Sequence, residues 1–118
     1  MSKDQLELYL SRLKGSVGGY PFGTDALVFK VMGKVFALVS QTETTSRVTL
    51  KCSPADGEVL ESQFESVVPG YHMNKKHWIT IALTGELPDE LLTDLAGGSY
   101  KLVVSKLTTK DRSRLESQ

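Results

Sequence analysis

The chain has 118 residues, 40% of them apolar and 24% charged, with 14 basic side chains balanced by 14 acidic ones. That length suits one domain, residues 1–118, able to bury a core without disulfides or metals, and the composition excludes a disordered chain. The longest strongly apolar stretch, Val35 to Val39, is too short to span a bilayer, so no membrane partner is expected. A single cysteine, Cys52, excludes an internal disulfide, and no apolar leader follows Met1, which together predict a reducing, cytoplasmic setting.

In chain order, Ser2 and Gln5 have capping-box spacing, and Leu6, Tyr9, Leu10 and Leu13 then repeat on one helical stripe that Gly15 ends. Gly15 to Pro21 reads as a loop. A strand is predicted from Ala26 to Met32, a two-residue turn with Gly33 as its first centre, and a returning strand from Val35 to Val39, apolar on both faces and therefore central. Gln41 to Ser46 is a polar loop. From Arg47 to Cys52 the pattern alternates, placing Val48, Leu50 and Cys52 inward and Arg47, Thr49 and Lys51 outward.

Ser53-Pro54 marks the start of a second helix, with Val59, Leu60, Phe64 and Val67 as its inward stripe and Glu58, Glu61 and Glu65 outward. After a Pro69-Gly70 turn, a short strand from Tyr71 to Asn74 and a longer one from His77 to Leu83 are expected. Pro88, Asp89 and Glu90 open a third helix, which Gly97-Gly98 should break, leaving Ser99 to cap a fourth along Tyr100, Val103, Val104 and Leu107. Thr108 and Asp111 predict a last short helix ending near Leu115. The order α-β-β-β-α-β-β-α-α-α argues an α+β fold, a mainly antiparallel sheet packed in two layers against helices.

No phosphate loop, dinucleotide fingerprint or nucleophile elbow is present, so neither an enzyme nor a cofactor is expected. The only histidines, His72 and His77, and one thiol are too few for a closed metal site. Charge, though balanced, is polarised. Residues 54–66 and 84–96 carry acids and no base, whereas Lys75-Lys76-His77 and the segment from Lys101 to Arg114 are basic. Lysines on a hairpin can reach a phosphate backbone, and basic side chains that contact phosphates position a protein without specifying sequence.

Several stretches together resemble the MmcQ/YjbR family nearly end to end. They are Tyr20-Pro21-Phe22-Gly23 with Val28-Phe29-Lys30-Val31 and Gly33-Lys34-Val35-Phe36-Ala37-Leu38, then Val48-Thr49-Leu50-Lys51-Cys52 with Pro54. Pro69-Gly70-Tyr71, Asn74-Lys75, His77-Trp78-Ile79 and Ser99-Tyr100-Lys101-Leu102-Val103 with Leu107 complete the match. The resemblance implies a frataxin-like (CyaY-like) fold and a bacterial, non-enzymatic protein that binds DNA through a double wing of hairpins. The candidate contacts are Lys34, Arg47, Lys51, Lys75, Lys76 and His77. Such a fold also implies iron binding along an acidic first helix, but here Asp4 and Glu7 are balanced by Lys3, Arg12 and Lys14. The alternative is a small-molecule or protein-binding module on the concave face of the sheet, lined by Tyr71, Trp78 and Tyr100.

Overall fold

The computed structural model describes residues 1–70 and 73–118. Its elements are α1 (Lys3–Arg12), β1 (Ser16–Gly19), β2 (Ala26–Val31), β3 (Lys34–Ser40), β4 (Arg47–Lys51), α2 (Pro54–Gln63), β5 (Val67–Pro69), β6 (Trp78–Ala82), α3 (Asp89–Ser105) and α4 (Thr109–Glu116). The strands form one sheet in the order β1-β2-β3-β4-β6-β5, every pair antiparallel. β4 and β5 therefore run parallel with β6 between them, and α2 makes the crossover. This is the expected α+β class.

Local chemistry sets the helix ends. Ser2 and Gln5 close a reciprocal capping box on α1. Ser53 caps α2 with Pro54 in its first turn, and Thr108 caps α4 by accepting from the Asp111 N–H. At the end of α3, the Arg112 guanidinium donates to Ser105 O and Leu107 O, each at 3.2 Å. The core lies between the helices and one sheet face. Leu6, Leu10, Leu60, Leu92, Ala96 and Val103 pack there on Phe29, Val31, Phe36, Val48, Leu50, Ile79 and Ile81. Leu13 and Phe64, also expected inside, are half-buried against that core, as is Leu95. Leu38 is half-buried on the opposite face, since its register partner is Thr49.

Five local expectations are corrected. The stretch expected to be a loop contains β1, because Gly18, lacking a Cβ, lets the Phe29 ring lie across it; an added Cβ would sit 3.1 Å from that ring. In the β2–β3 hairpin Val31 pairs with Lys34, so Met32 and Gly33 are the turn centres. Both have positive φ (49° and 78°), as a type I′ turn requires. Val59 is 53% exposed and Val67 belongs to β5, because the buried stripe of α2 runs through Gly57 and Leu60. Thr49, read as outward, is buried in a hydrogen bond between its hydroxyl and that of Thr80 at 2.8 Å.

The fifth correction is the largest. Gly97-Gly98 breaks nothing: α3 runs unbroken for 17 residues, and Ser99 is a buried residue in its middle. Small residues suit that place, since a Cβ on Gly97 would meet the Tyr9 hydroxyl oxygen at 3.0 Å. The helix keeps its two glycines at a conformational cost and gains close approach to α1. Of the strand expected from Tyr71 to Asn74, Tyr71 and His72 lie outside the described residues, and the strand preceding β6 is Val67–Pro69.

Candidate functional site

β2 pairs Phe29 with Ala37 but Lys30 with Val35, so Phe36 is the extra residue of a bulge. β3 then pairs with β4 only through Ala37–Leu50, Leu38–Thr49 and Val39–Val48. Beyond these, Ser99 of α3 fills the gap in the ladder. Its hydroxyl donates to Phe36 O at 2.6 Å and accepts from the Lys51 N–H at 2.8 Å.

Where the strands part, a hollow of about 350 Å³ opens, lined by Lys34, Val35, Lys51, Trp78, Val103 and Lys106. The hairpin turn brings Lys34, the end of β4 brings Lys51, the start of β6 brings Trp78 and the last turn of α3 brings Val103. Trp78 is the register partner of Lys51, whose ammonium lies 5.9 Å from the indole centroid. The indole is only 8% exposed, so it forms a wall. Among the described residues, no carboxylate lies within 4.0 Å of Lys34, Lys51 or Lys106; the ion pairs involve the Met1 amine with Asp89, Lys3 with Asp4 and Glu7, and Arg47 with Glu43.

The basic turn lies at the same end of the sheet. His77 O accepts from the Cys52 N–H at 2.9 Å, which ties the turn to the end of β4. Asn74 shapes the turn: its side-chain Oδ1 accepts from the Lys76 N–H at 2.8 Å and its carbonyl from the His77 N–H at 3.2 Å. Lys75, Lys76 and His77 are exposed.

The remaining candidates lie apart. Arg47 begins β4, at the far end from Lys51, with Nε 3.2 Å from a Glu43 oxygen. Tyr100 donates its hydroxyl to Lys14 O at 2.6 Å and meets Phe36 edge to face at 5.4 Å, so it braces α3 and does not join Trp78. Burial pushes its phenol up from the ordinary value. Tyr71 lies outside the described residues. The Gly97-Gly98-Ser99 stretch offers no helix N-terminus for an anion, being mid-helix. Among the described residues there is no cluster of metal-ligating side chains and no helix long and apolar enough to cross a membrane. Lys106 was not among the candidates. Its signal was its place three residues after Val103, on the same helical stripe in the helix expected from Tyr100 to Leu107.

A family model described as YjbR matches residues 11–102. The chain is 40% identical over 96 residues to the uncharacterized protein YbdF of Escherichia coli O157:H7, covering 81% of this chain and 79% of that protein. It is 39% identical over 90 residues to the uncharacterized protein YjbR of Escherichia coli strain K12, covering 76% of each. The crystal structure of Deinococcus radiodurans protein DR2400 superposes with a TM-score of 0.87 at 40% identity, covering 96% of this chain and 86% of that one. A crystal structure of a protein from Pseudomonas syringae superposes with a TM-score of 0.76 at 26% identity, covering 86% and 98% respectively.

Proposed function

The chain belongs to the YjbR family, and from that premise we propose that it is a non-enzymatic protein that grips the phosphate backbone of DNA with the lysine-bearing end of its sheet. The observation that supports this reading is the hollow in which Lys34, Lys51 and Lys106 meet without a carboxylate. Three lysines lining one hollow raise its positive potential, and phosphate is an anion that lysine ammonium groups take up as point charges. The exposed turn of Lys75, Lys76 and His77 supplies a second set of donors beside it.

Such contacts carry no sequence information. Trp78, buried with Lys51 over its ring, is not free to stack on a base. Binding is therefore electrostatic and largely indifferent to sequence. With about four phosphates engaged, log affinity falls against log salt with a slope near −3.6. The exposed Glu58 lies on α2 and the exposed Glu65 in the turn that follows it; α2 packs on the helix side of the sheet, so changing both to glutamine alters affinity little.

The test is a fluorescence titration of labelled duplex from low to moderate salt. Lys75→Ala with Lys76→Ala should flatten the slope by about 2, and Lys34→Ala with Lys51→Ala by a similar amount. Absence of binding by the wild type at low salt, or an unchanged slope in both double variants, sinks the reading.

A further inference from the structure

We propose that the hollow on the sheet face opposite the helices binds a small amphiphilic amine. An antiparallel sheet with helices on one side ordinarily leaves its other face to water. Here that other face is covered: Val28 and Thr80 are each 1% exposed and Thr49 is 7% exposed. Chain between strands lines part of that face, with Phe22 from the β1–β2 connection, Thr42 and Glu43 from the β3–β4 connection, and Met73 ahead of β6. These segments do not close over the sheet. They leave a hollow of about 570 Å³, within the roughly 300–1,000 Å³ usual for small-molecule sites.

The chemistry of the lining narrows the occupant. Leu38 and Ala26 make an apolar floor beside the paired hydroxyls of Thr49 and Thr80, and Phe22 and Met73 make apolar walls. Phe22 is 73% exposed, a large apolar side chain that an occupant would cover. Of the charges at the rim, Glu43 is held by Arg47 at 3.2 Å. Asp25 is exposed and has no cation within 4.0 Å among the described residues, so its carboxylate is open to a cation carried by an occupant. An apolar body with a single cationic nitrogen matches both the walls and that charge. Affinity would come mainly from apolar burial, because an exposed ion pair contributes little.

The lining residues are distinct from those of the lysine hollow, so this site stands whether or not the protein binds duplex. The test is calorimetric titration of the full chain with 2-phenylethylamine and, as the charge-reversed probe, phenylacetate. The amine should bind with a Kd below about 1 mM. Asp25→Asn should weaken it about threefold. Leu38→Trp, which fills the floor, should abolish it; Thr42→Trp at the rim serves the same purpose if thermal melts show Leu38→Trp to be unfolded. Failure of the amine to bind at millimolar concentration, phenylacetate binding as tightly, or amine affinity unchanged by Asp25→Asn or by the filling variant would each overturn the proposal.

Discussion

The Ser99 hydroxyl of α3 lies 2.6 Å from the carbonyl oxygen of Phe36 on β3, a residue 63 positions earlier in the chain. The Ser99 hydroxyl oxygen also accepts the Lys51 amide proton, so one helix residue stands in for a missing rung between two strands. Ser99→Ala removes a single atom but leaves a buried carbonyl and a half-buried amide without a partner. The expected cost is about 1–3 kcal/mol, read from urea melts. An unchanged midpoint would show that the strands close the gap by themselves.

The two glycines within α3 should respond differently to alanine. Gly98 has no atom within 4 Å of an added Cβ, so Gly98→Ala should stabilise by about 1 kcal/mol through helix propensity alone. At Gly97 the Cβ would stand 3.0 Å from the Tyr9 hydroxyl, which offsets that gain. Gly97→Ala in a Tyr9→Phe background should recover it. Equal gains at both glycines in the wild-type background would contradict the close approach of α1.

Cys52 is expected to be a poor nucleophile. Burial first, then the charges of Asp56 and Glu61, push its thiol up to about 11. Thiolate is the reactive form, so alkylation at pH 8 should be much slower than in the urea-unfolded chain. Asp56→Asn should speed it modestly; a native rate equal to the unfolded rate would mean the thiol is neither buried nor shifted.

Glu86 gives the stability a pH dependence of known sign. Its carboxylate accepts from the Ser66 hydroxyl at 2.5 Å and from the Ser66 N–H at 2.9 Å, and these bonds, the hydroxyl's first, lower its pKa from 4.5. A carboxyl whose folded pKa is depressed stabilises the fold above the ordinary value and loses that contribution as pH falls through the folded one. Glu86→Gln should therefore lower Tm near neutrality, with the gap closing in acid. A gap constant with pH would place the effect elsewhere.

Much of the fold was legible because its signals are local. The caps at Ser2, Ser53 and Thr108 and the alternation through Val48, Leu50 and Cys52 are all found in the structure. The failures share a cause: tertiary contact overrode local preference. Gly97 and Gly98 carry a breaking signal, yet packing on α1 and the sheet holds the helix together. Ser16 to Gly19 is weak strand sequence, yet it pairs along β2. The site was half legible. Lys34, Lys51 and the turn from Lys75 to His77 are basic residues beside turn signals, whereas the meeting of Lys34 and Lys51 with Lys106 depends on a bulge at Phe36 that no residue announces. Arg47 and Tyr100 could not be separated from the rest by composition, because only register and helix phase assign them to the far strand end and the helix layer.

The grip of Arg112 on Ser105 O, the last carbonyl of α3, and on Leu107 O just beyond it bears on the lysine hollow without entering it. A long helix ends with about half a negative charge on its unsatisfied carbonyls, and α3 ends beside Lys106. Left bare, that pole would draw the ammonium of Lys106 back along the helix as its own counter-charge. The guanidinium at 3.2 Å from Ser105 O and Leu107 O answers it first. Arg112 thus sets a fixed cation at the negative pole of α3, next to the hollow that Lys106 lines, and the helix end adds less negative potential to that hollow than a bare one would.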